Sequence, residues 1–293
     1  MNIVAKSKFD KNIYDKILKG AKAIELHLDQ DFIDNPMMWD DQIVEDIPIV
    51  AVHAPLIEGS DDTNIEVFSN RQILVKTCEL AKRIAESQGH MVMVVCHLGT
   101  NPKLLKNLGI YDDLVIFIRD LANAYECLEF AVENVVPLEN GVYEHLALRA
   151  VEWDSSPKFV RDVGHPRVGT CLDTCHALMT LRFFENISKY IEKRYDECDE
   201  FLRFGLESFF AENQDTVKWM HLSNAKSHGW GSDHGLPFTE DTIGHLRHIL
   251  WLYKKYNYNC PVVLEVREDS YDDAKNYETT HKILEDQLYL LEK

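Results

Sequence analysis

The sequence predicts an α/β fold of the (β/α)8 barrel type, and three observations carry that prediction. Eight apolar, β-branched runs of strand length recur along the chain. Segments with 3.6-residue apolar periodicity lie between them. Eight short buried strands, each followed by helical sequence, imply parallel pairing with right-handed crossovers, and eight such units in 293 residues is the count of a (β/α)8 barrel. The main alternative, an open doubly wound sheet, usually carries a Gly-rich turn after its first strand, and none is present here.

The strand-like runs are Asn2–Ala5, Ala23–Leu28, Ile49–His53, Val92–His97, Leu128–Glu133, Arg167–Asp173, Val217–Leu222 and Val262–Glu265. The first is short, and Pro261 opens the last. Among the helical segments, Ile73, Leu74, Thr77, Leu80, Ala81 and Ile84 make one apolar stripe. Leu178 to Phe210 reads as mostly helical, and the long helical excursion between 176 and 212 could serve a homodimer contact. Ile243, Leu246, Ile249, Leu250 and Tyr253 make a further stripe, and Ile283, Leu284, Leu288 and Leu291 close the chain. No Pro/Gly/Ser linker, low-complexity tract or charge block divides the sequence, so residues 1–293 read as a single domain.

Composition narrows the function classes. A hydrophobic content of 45% suits one large barrel-type domain or two smaller ones. No apolar run is long enough to cross a membrane, and the start, Met-Asn-Ile-Val-Ala-Lys-Ser-Lys, lacks a signal-peptide core. Seven cysteines without disulfide-like clustering suggest reduced thiols in a cytoplasmic protein, with Cys96, Cys171 and Cys260 in or beside strands. Cys171 and Cys175 flank Asp173, but no second Cys pair completes a zinc site, which favours packing over ligation. The net charge of −18 disfavours affinity built on many phosphate contacts, although it leaves room for a local basic patch.

In a barrel the strand ends matter most. The active site lies at their C-terminal ends, where side chains remote in sequence converge. His53, His97, Glu133, Asp173, His176, His221 and Glu265 all fall at or just past such ends. Imidazoles and carboxylates together suit Zn, Mn or Fe, whereas Mg and Ca prefer all-oxygen shells. The loop after His221 is broken by glycines and a proline and contains Asn224, Lys226, His228, Asp233 and His234. Asp233 and His234 could add a metal arm, and Lys226 could meet a substrate phosphate. Glu25 and His27 alternate on the second strand, so both point to one side and one could reach the mouth. Arg267 could hold a phosphate bidentately.

His-Ala-Pro at 53, His-Leu-Gly at 97, Glu-Asn at 133, Cys-Leu-Asp-Thr-Cys-His at 171–176, His-Leu-Ser-Asn at 221, Asp-His at 233–234 and Leu-Glu at 264–265 resemble the xylose isomerase-like TIM barrels. That superfamily includes endonuclease IV and the sugar isomerases and epimerases. Its epimerase-like template implies one metal held by Glu133, Asp173, His221 and Glu265, with His176 near the substrate. Glu133 and Glu265 are then the catalytic pair, one removing a proton from carbon and the other returning one. The endonuclease IV-like (AP endonuclease family 2) template implies a three-metal cluster that also uses His53, His97, His176 and an Asp-x-His arm. Here the arm reads Ser232-Asp233-His234, with the acid adjoining the histidine instead of sitting two before it. Asn134-Val-Val-Pro after Glu133 is closer to the isomerase-like relatives, which places Asn134 with the substrate residues.

The leading expectation is a divalent-metal-dependent isomerase or epimerase of a small sugar or sugar phosphate, with one to three metal ions per chain. A phosphodiester hydrolase is the alternative, and only that reading calls for nucleic acid. The charge and the acidic loop Glu58-Gly-Ser-Asp-Asp speak against a DNA surface. A non-catalytic metal-binding scaffold is the third class.

Overall fold

The computed structural model describes residues 1–9, 12–35, 41–55, 67–97, 109, 111–134, 155–187, 205–226, 234–268 and 273–291. Its strands are β1 (Ile3–Lys8), β2 (Ile24–His27), β3 (Ile49–His53), β4 (Val92–His97), β5 (Leu128–Glu133), β6 (Val168–Asp173), β7 (Val217–Leu222) and β8 (Val262–Leu264). Each pairs in parallel with the next, and β8 pairs with β1, so the sheet closes into a barrel. Closure excludes the open doubly wound alternative.

The described helices are α1 (Asn12–Leu18), α2 (Gln30–Asp34), α3 (Asp41–Asp46), α4 (Val67–Gln88), α5 (Tyr111–Ala124), α6 (Ser155–Val163), α7 (Thr174–Ile187), α8 (Leu206–Asn213), α9 (Ile243–Lys255) and α10 (Lys275–Leu291). The expected stripes fall on α4, α9 and α10. Of the long segment read as helical, α7 and the start of α8 lie within the described residues and 188–204 lie outside them. No described helix is long and apolar enough to cross a membrane.

Four strands differ from expectation at their ends, β2 and β6 by a single residue at each end concerned. β1 runs on to Lys8, with Lys6 opposite Glu25 and Lys8 opposite His27, because β2 supplies a hydrogen-bonding partner beyond Ala5. β8 ends at Leu264, yet the Glu265 N–H still donates to the Leu222 carbonyl at 3.2 Å. That bond holds Glu265 in line with the strand.

Strand alternation builds the site. Ala5, Ile24, Leu26, Val52, Val94, Val132, Leu172, Leu222 and Leu264 pack into the main core with helix residues such as Ile13, Ile84, Ile118 and Leu246. The opposite parity forms a separate cluster inside the barrel from Val4, Ala23, Ala51, Val95, Ala131, Cys171, Trp219 and Val263. Three alanines leave room there for the indole of Trp219. Two residues on from each inward position, the side-chain period of a strand returns to the interior. The residues reached are Lys6, Glu25, His53, His97, Glu133, Asp173, His221 and Glu265. An apolar plug therefore carries a ring of ionisable groups.

The described cysteines are free, and all but Cys127 are buried. Cys171 lies inside the barrel, and Cys96 and Cys260 lie in the main core, which agrees with a packing role. Burial pushes the Cys171 thiol well up and that of Cys96 to about 12, so both stay protonated at neutral pH.

Candidate metal centre

Glu133 stands at the centre of the ring. Its Oε2 lies 2.9 Å from His53 Nε2 and 3.2 Å from His97 Nε2. Its Oε1 lies 3.2 Å from His221 Nδ1 and 3.3 Å from His176 Nδ1. Glu133, Asp173, His221 and Glu265 each offer a donor atom, all within 4.8 Å of one another. His53, Glu133 and His221 form a second such group.

The local sequence explains the geometry at β6. Asp173 ends the strand and caps α7, its Oδ1 accepting the His176 N–H at 2.6 Å. The cap occupies one carboxylate oxygen. The other, Oδ2, is buried without a hydrogen-bond partner. Asn134 brackets the same residue: its Oδ1 accepts the Asp173 N–H at 2.7 Å and its Nδ2 donates to the Asp173 carbonyl at 3.0 Å. Thr174 Oγ1 donates to the His221 carbonyl at 3.2 Å and ties β6 to β7.

His221 is fixed from behind. Its Nε2 lies 3.0 Å from Glu25 Oε2, the same oxygen that accepts Trp219 Nε1–H at 2.6 Å. Nδ1 is thereby turned toward Glu133, Asp173 and Glu265. Glu265 Oε2 stands 2.8 Å from Nδ1 yet makes no hydrogen bond, and Asp173 Oδ2 is 3.7 Å away. Two orphaned carboxylate oxygens and an imidazole nitrogen thus face a common point. A divalent cation fits that arrangement, and the mixed N/O donor set suits Zn, Mn or Fe. An imidazole backed by a carboxylate is also how ligating histidines are commonly oriented.

Electrostatics follows from burial against charge. Burial alone would raise the carboxyls of Glu133 and Glu265. His221 and His97 hold Glu133 well below the usual range, and Lys6 and His221 do the same for Glu265. Burial pulls His221 down, but the Glu25 and Glu133 carboxylates outweigh it and push it well up. His176 is likewise raised against its burial, by Asp173, Glu133 and Glu265. His234, 3.0 Å from His176 between Nε2 atoms, is lowered by burial and by His176 itself. His176 therefore donates and His234 accepts.

Lys6 was not singled out in the sequence. Its Nζ lies 2.8 Å from Glu265 Oε1 and 3.6 Å from Glu25 Oε1. Burial opposes the ammonium, and Glu265, Glu25 and Glu133 together overcome it and keep the lysine charged. The missed signal was its position, two residues past the inward Val4. Trp219, the donor to Glu25, was missed as well.

Other expected residues sort as follows. Glu25 is fully buried beneath His221, whereas His27 lines the open mouth. Asn134 is 8% exposed, with both amide atoms engaged by Asp173. Those contacts hold its amide against the Asp173 backbone. Arg267 lines the mouth, and Lys226 is exposed. Asp233, His228 and the 58–62 loop lie outside the described residues.

Fold and site together define a closed (β/α)8 barrel with a carboxylate–imidazole centre at its C-terminal mouth. The family model for the xylose isomerase-like TIM barrel matches residues 20–287, and the chain belongs to that family. Among solved structures it is similar to a xylose isomerase domain protein from Planctomyces limnophilus, with a TM-score of 0.59 at 13% identity, covering 99% of this chain and 96% of that one. It is also similar to D-allulose 3-epimerase from Methylomonas sp. in complex with D-allulose, with a TM-score of 0.59 at 12% identity, covering 98% and 97%. A third is the IOLI protein with a bound zinc atom, with a TM-score of 0.59 at 15% identity, covering 99% of each chain. No curated protein matches the chain.

Proposed function

We propose that this chain is a divalent-metal-dependent isomerase or epimerase of a small sugar or sugar phosphate. The observation that carries the reading is the pairing of Glu133 and Glu265 in one four-donor group. Two carboxylates at one centre suit removal and return of a proton at carbon. A cation bound there supplies a Lewis acid for a substrate carbonyl and its neighbouring hydroxyl. Zn, Mn or Fe fits the donor set, and the similar barrels that hold D-allulose and zinc support the reading.

The residues divide the work by position. Glu265, with its side chain 19% exposed, is the more open of the pair and meets the substrate. Lys6 keeps it ionised and therefore able to accept a proton. Glu133 works from beneath with its side chain 1% exposed. Glu25 and Asn134 act through others, the first by orienting His221 and the second by positioning Asp173.

A multi-metal phosphodiester hydrolase is the second reading. It is favoured by His53 and His97, which converge on Glu133 beyond what one cation needs, and by the His176–His234 pair. Incubation with ketoses in heavy water separates the two. Solvent label should enter the substrate carbon, and Glu133→Gln or Glu265→Gln should abolish its entry. Nicking of abasic duplex DNA without any label uptake would sink the isomerase reading.

A further inference from the structure

The three carboxylates of the four-donor group share one feature. Each has an oxygen held from outside the group and an oxygen turned toward His221 Nδ1. For Asp173 the held oxygen is Oδ1, which accepts the His176 N–H at 2.6 Å, and Oδ2 lies 3.7 Å from Nδ1. For Glu133 it is Oε2, at 2.9 Å from His53 Nε2 and 3.2 Å from His97 Nε2, while Oε1 lies 3.2 Å from Nδ1. For Glu265 it is Oε1, at 2.8 Å from Lys6 Nζ, while Oε2 lies 2.8 Å from Nδ1.

Lys6 differs in kind from the other holders. An ammonium has three donors and no lone pair, so it holds a carboxylate oxygen but never joins in ligating a cation. It also repels a cation, which favours the Oε2 side of Glu265 for the ion. A second contact, 3.6 Å to Glu25 Oε1, pins the ammonium from its other side. Glu25 Oε2 in turn lies 3.0 Å from His221 Nε2. One ammonium therefore stands behind two of the four donors, Glu265 directly and His221 through Glu25.

The number of oxygens offered matters most at Glu265. A cavity of about 320 Å³ opens at the mouth, and Glu265 is the one member of the four-donor group that lines it. Lys6 lines the same cavity. A small molecule in that cavity meets the centre at Glu265. If both oxygens of this carboxylate turned to a cation, they would take up a position on its open side.

We propose that Lys6 is a positioning residue: by holding Oε1 it limits Glu265 to ligation through Oε2 and keeps positions on a bound cation open for two substrate oxygens. The centre then offers three carboxylate oxygens and one imidazole nitrogen. A six-coordinate ion such as Mn has about two positions left. A carbonyl and its neighbouring hydroxyl would fill them together. The substrate part of this inference rests on the isomerase reading, and the ligation of Glu265 does not.

Water-proton relaxation reports the exchangeable waters on bound Mn(II). The sample is the full chain, treated with chelator and reloaded with one equivalent of Mn(II). Wild type should carry about two such waters, and acetohydroxamate, which chelates through two oxygens, should displace them. Lys6→Met should lower the relaxation enhancement by about half and weaken acetohydroxamate about tenfold. The double variant Lys6→Met, Glu265→Gln should return both to the wild-type level, because a carboxamide has one oxygen to offer. It also loses one charge of each sign. A lysine that served packing alone would change stability and leave the water count as it was. Equal relaxation in wild type and Lys6→Met therefore overturns the proposal and leaves the isomerase reading to its label-uptake assay. A wild type that holds fewer waters and fails to bind acetohydroxamate overturns it without any variant. Absent Mn(II) binding removes the centre and the proposal together. Relaxation that follows the variants, with no label entering a ketose, keeps the role of Lys6 and removes the isomerase reading.

Discussion

Lys6 Nζ lies 2.8 Å from Glu265 Oε1, so a buried lysine from the first strand neutralises a candidate metal ligand that follows the last. β1 and β8 are neighbours only because the barrel closes. The pair is thus a product of closure, and it joins the stability of the seam to the charge of the centre.

Replacing Lys6 with Met tests that coupling. In the metal-free chain the change removes the ammonium from Glu265 and Glu25 and leaves His221 as their remaining cationic neighbour, at a cost of about 3–5 kcal/mol. A divalent cation in the centre would offset much of that loss, since it neutralises the same carboxylates, and it no longer meets repulsion from the ammonium. Thermal unfolding should show a larger drop in Tm for the metal-free variant than for the metal-loaded one. Equal drops in the two forms would show that Lys6 serves packing alone.

Glu25→Gln probes the group behind His221. The substitution keeps the volume beside Trp219 but removes the charge 3.0 Å from His221 Nε2. The imidazole then loses its charged acceptor and becomes a poorer ligand. Metal affinity should fall about 10–100-fold, measured by competition with a chromogenic chelator. An unchanged affinity would mean that His221 is oriented by its surroundings without help from Glu25.

Why Lys6 escaped the sequence, when seven other inward strand-end residues did not, is a matter of chemistry. Imidazoles and carboxylates after apolar runs stand out as ligands. A lysine after Val4-Ala5 looks like the solvated start of a loop. Its burial is tolerable only because Glu25 and Glu265 supply the opposite charge, and neither is near it in sequence. The strand runs and their ligand-bearing ends were legible because each depends on local alternation. Trp219's bond to Glu25 and Asn134's bracket around Asp173 depend on register between strands, which local pattern does not set.

Asn134→Ala removes that bracket. The Asp173 N–H and carbonyl lose their partners at a buried strand end, and stability should fall by about 1–3 kcal/mol in denaturant unfolding. With its backbone no longer held, the Asp173 carboxylate should bind metal more weakly. A variant that loses stability while keeping full metal affinity would refute the positioning role.

Stability and metal affinity depend on pH through the imidazoles of the centre. In the metal-free chain the pKa of His221 and that of His176 are raised by neighbouring carboxylates against their burial. A raised folded-state pKa stabilises the fold fully below the unfolded value of about 6.5. That contribution fades as pH rises through the folded value. Metal binding needs the Nδ1 lone pair of His221, so a cation must displace that proton, and its apparent affinity rises as pH rises. The two slopes have opposite signs. Glu133 and Glu265, held well below the usual carboxylate range, stay ionised throughout the neutral window. His27, pushed down to about 3 by burial with Lys6 and His53 nearby, stays neutral. The proton that a cation displaces from His221 Nδ1 is therefore among those exchanged near neutrality. The gain in Tm on metal loading should grow between about pH 6 and pH 8, and calorimetry in buffers of different ionisation enthalpy should show proton release on binding. A metal-induced gain independent of pH, with no protons released, would rule out His221 as a ligand.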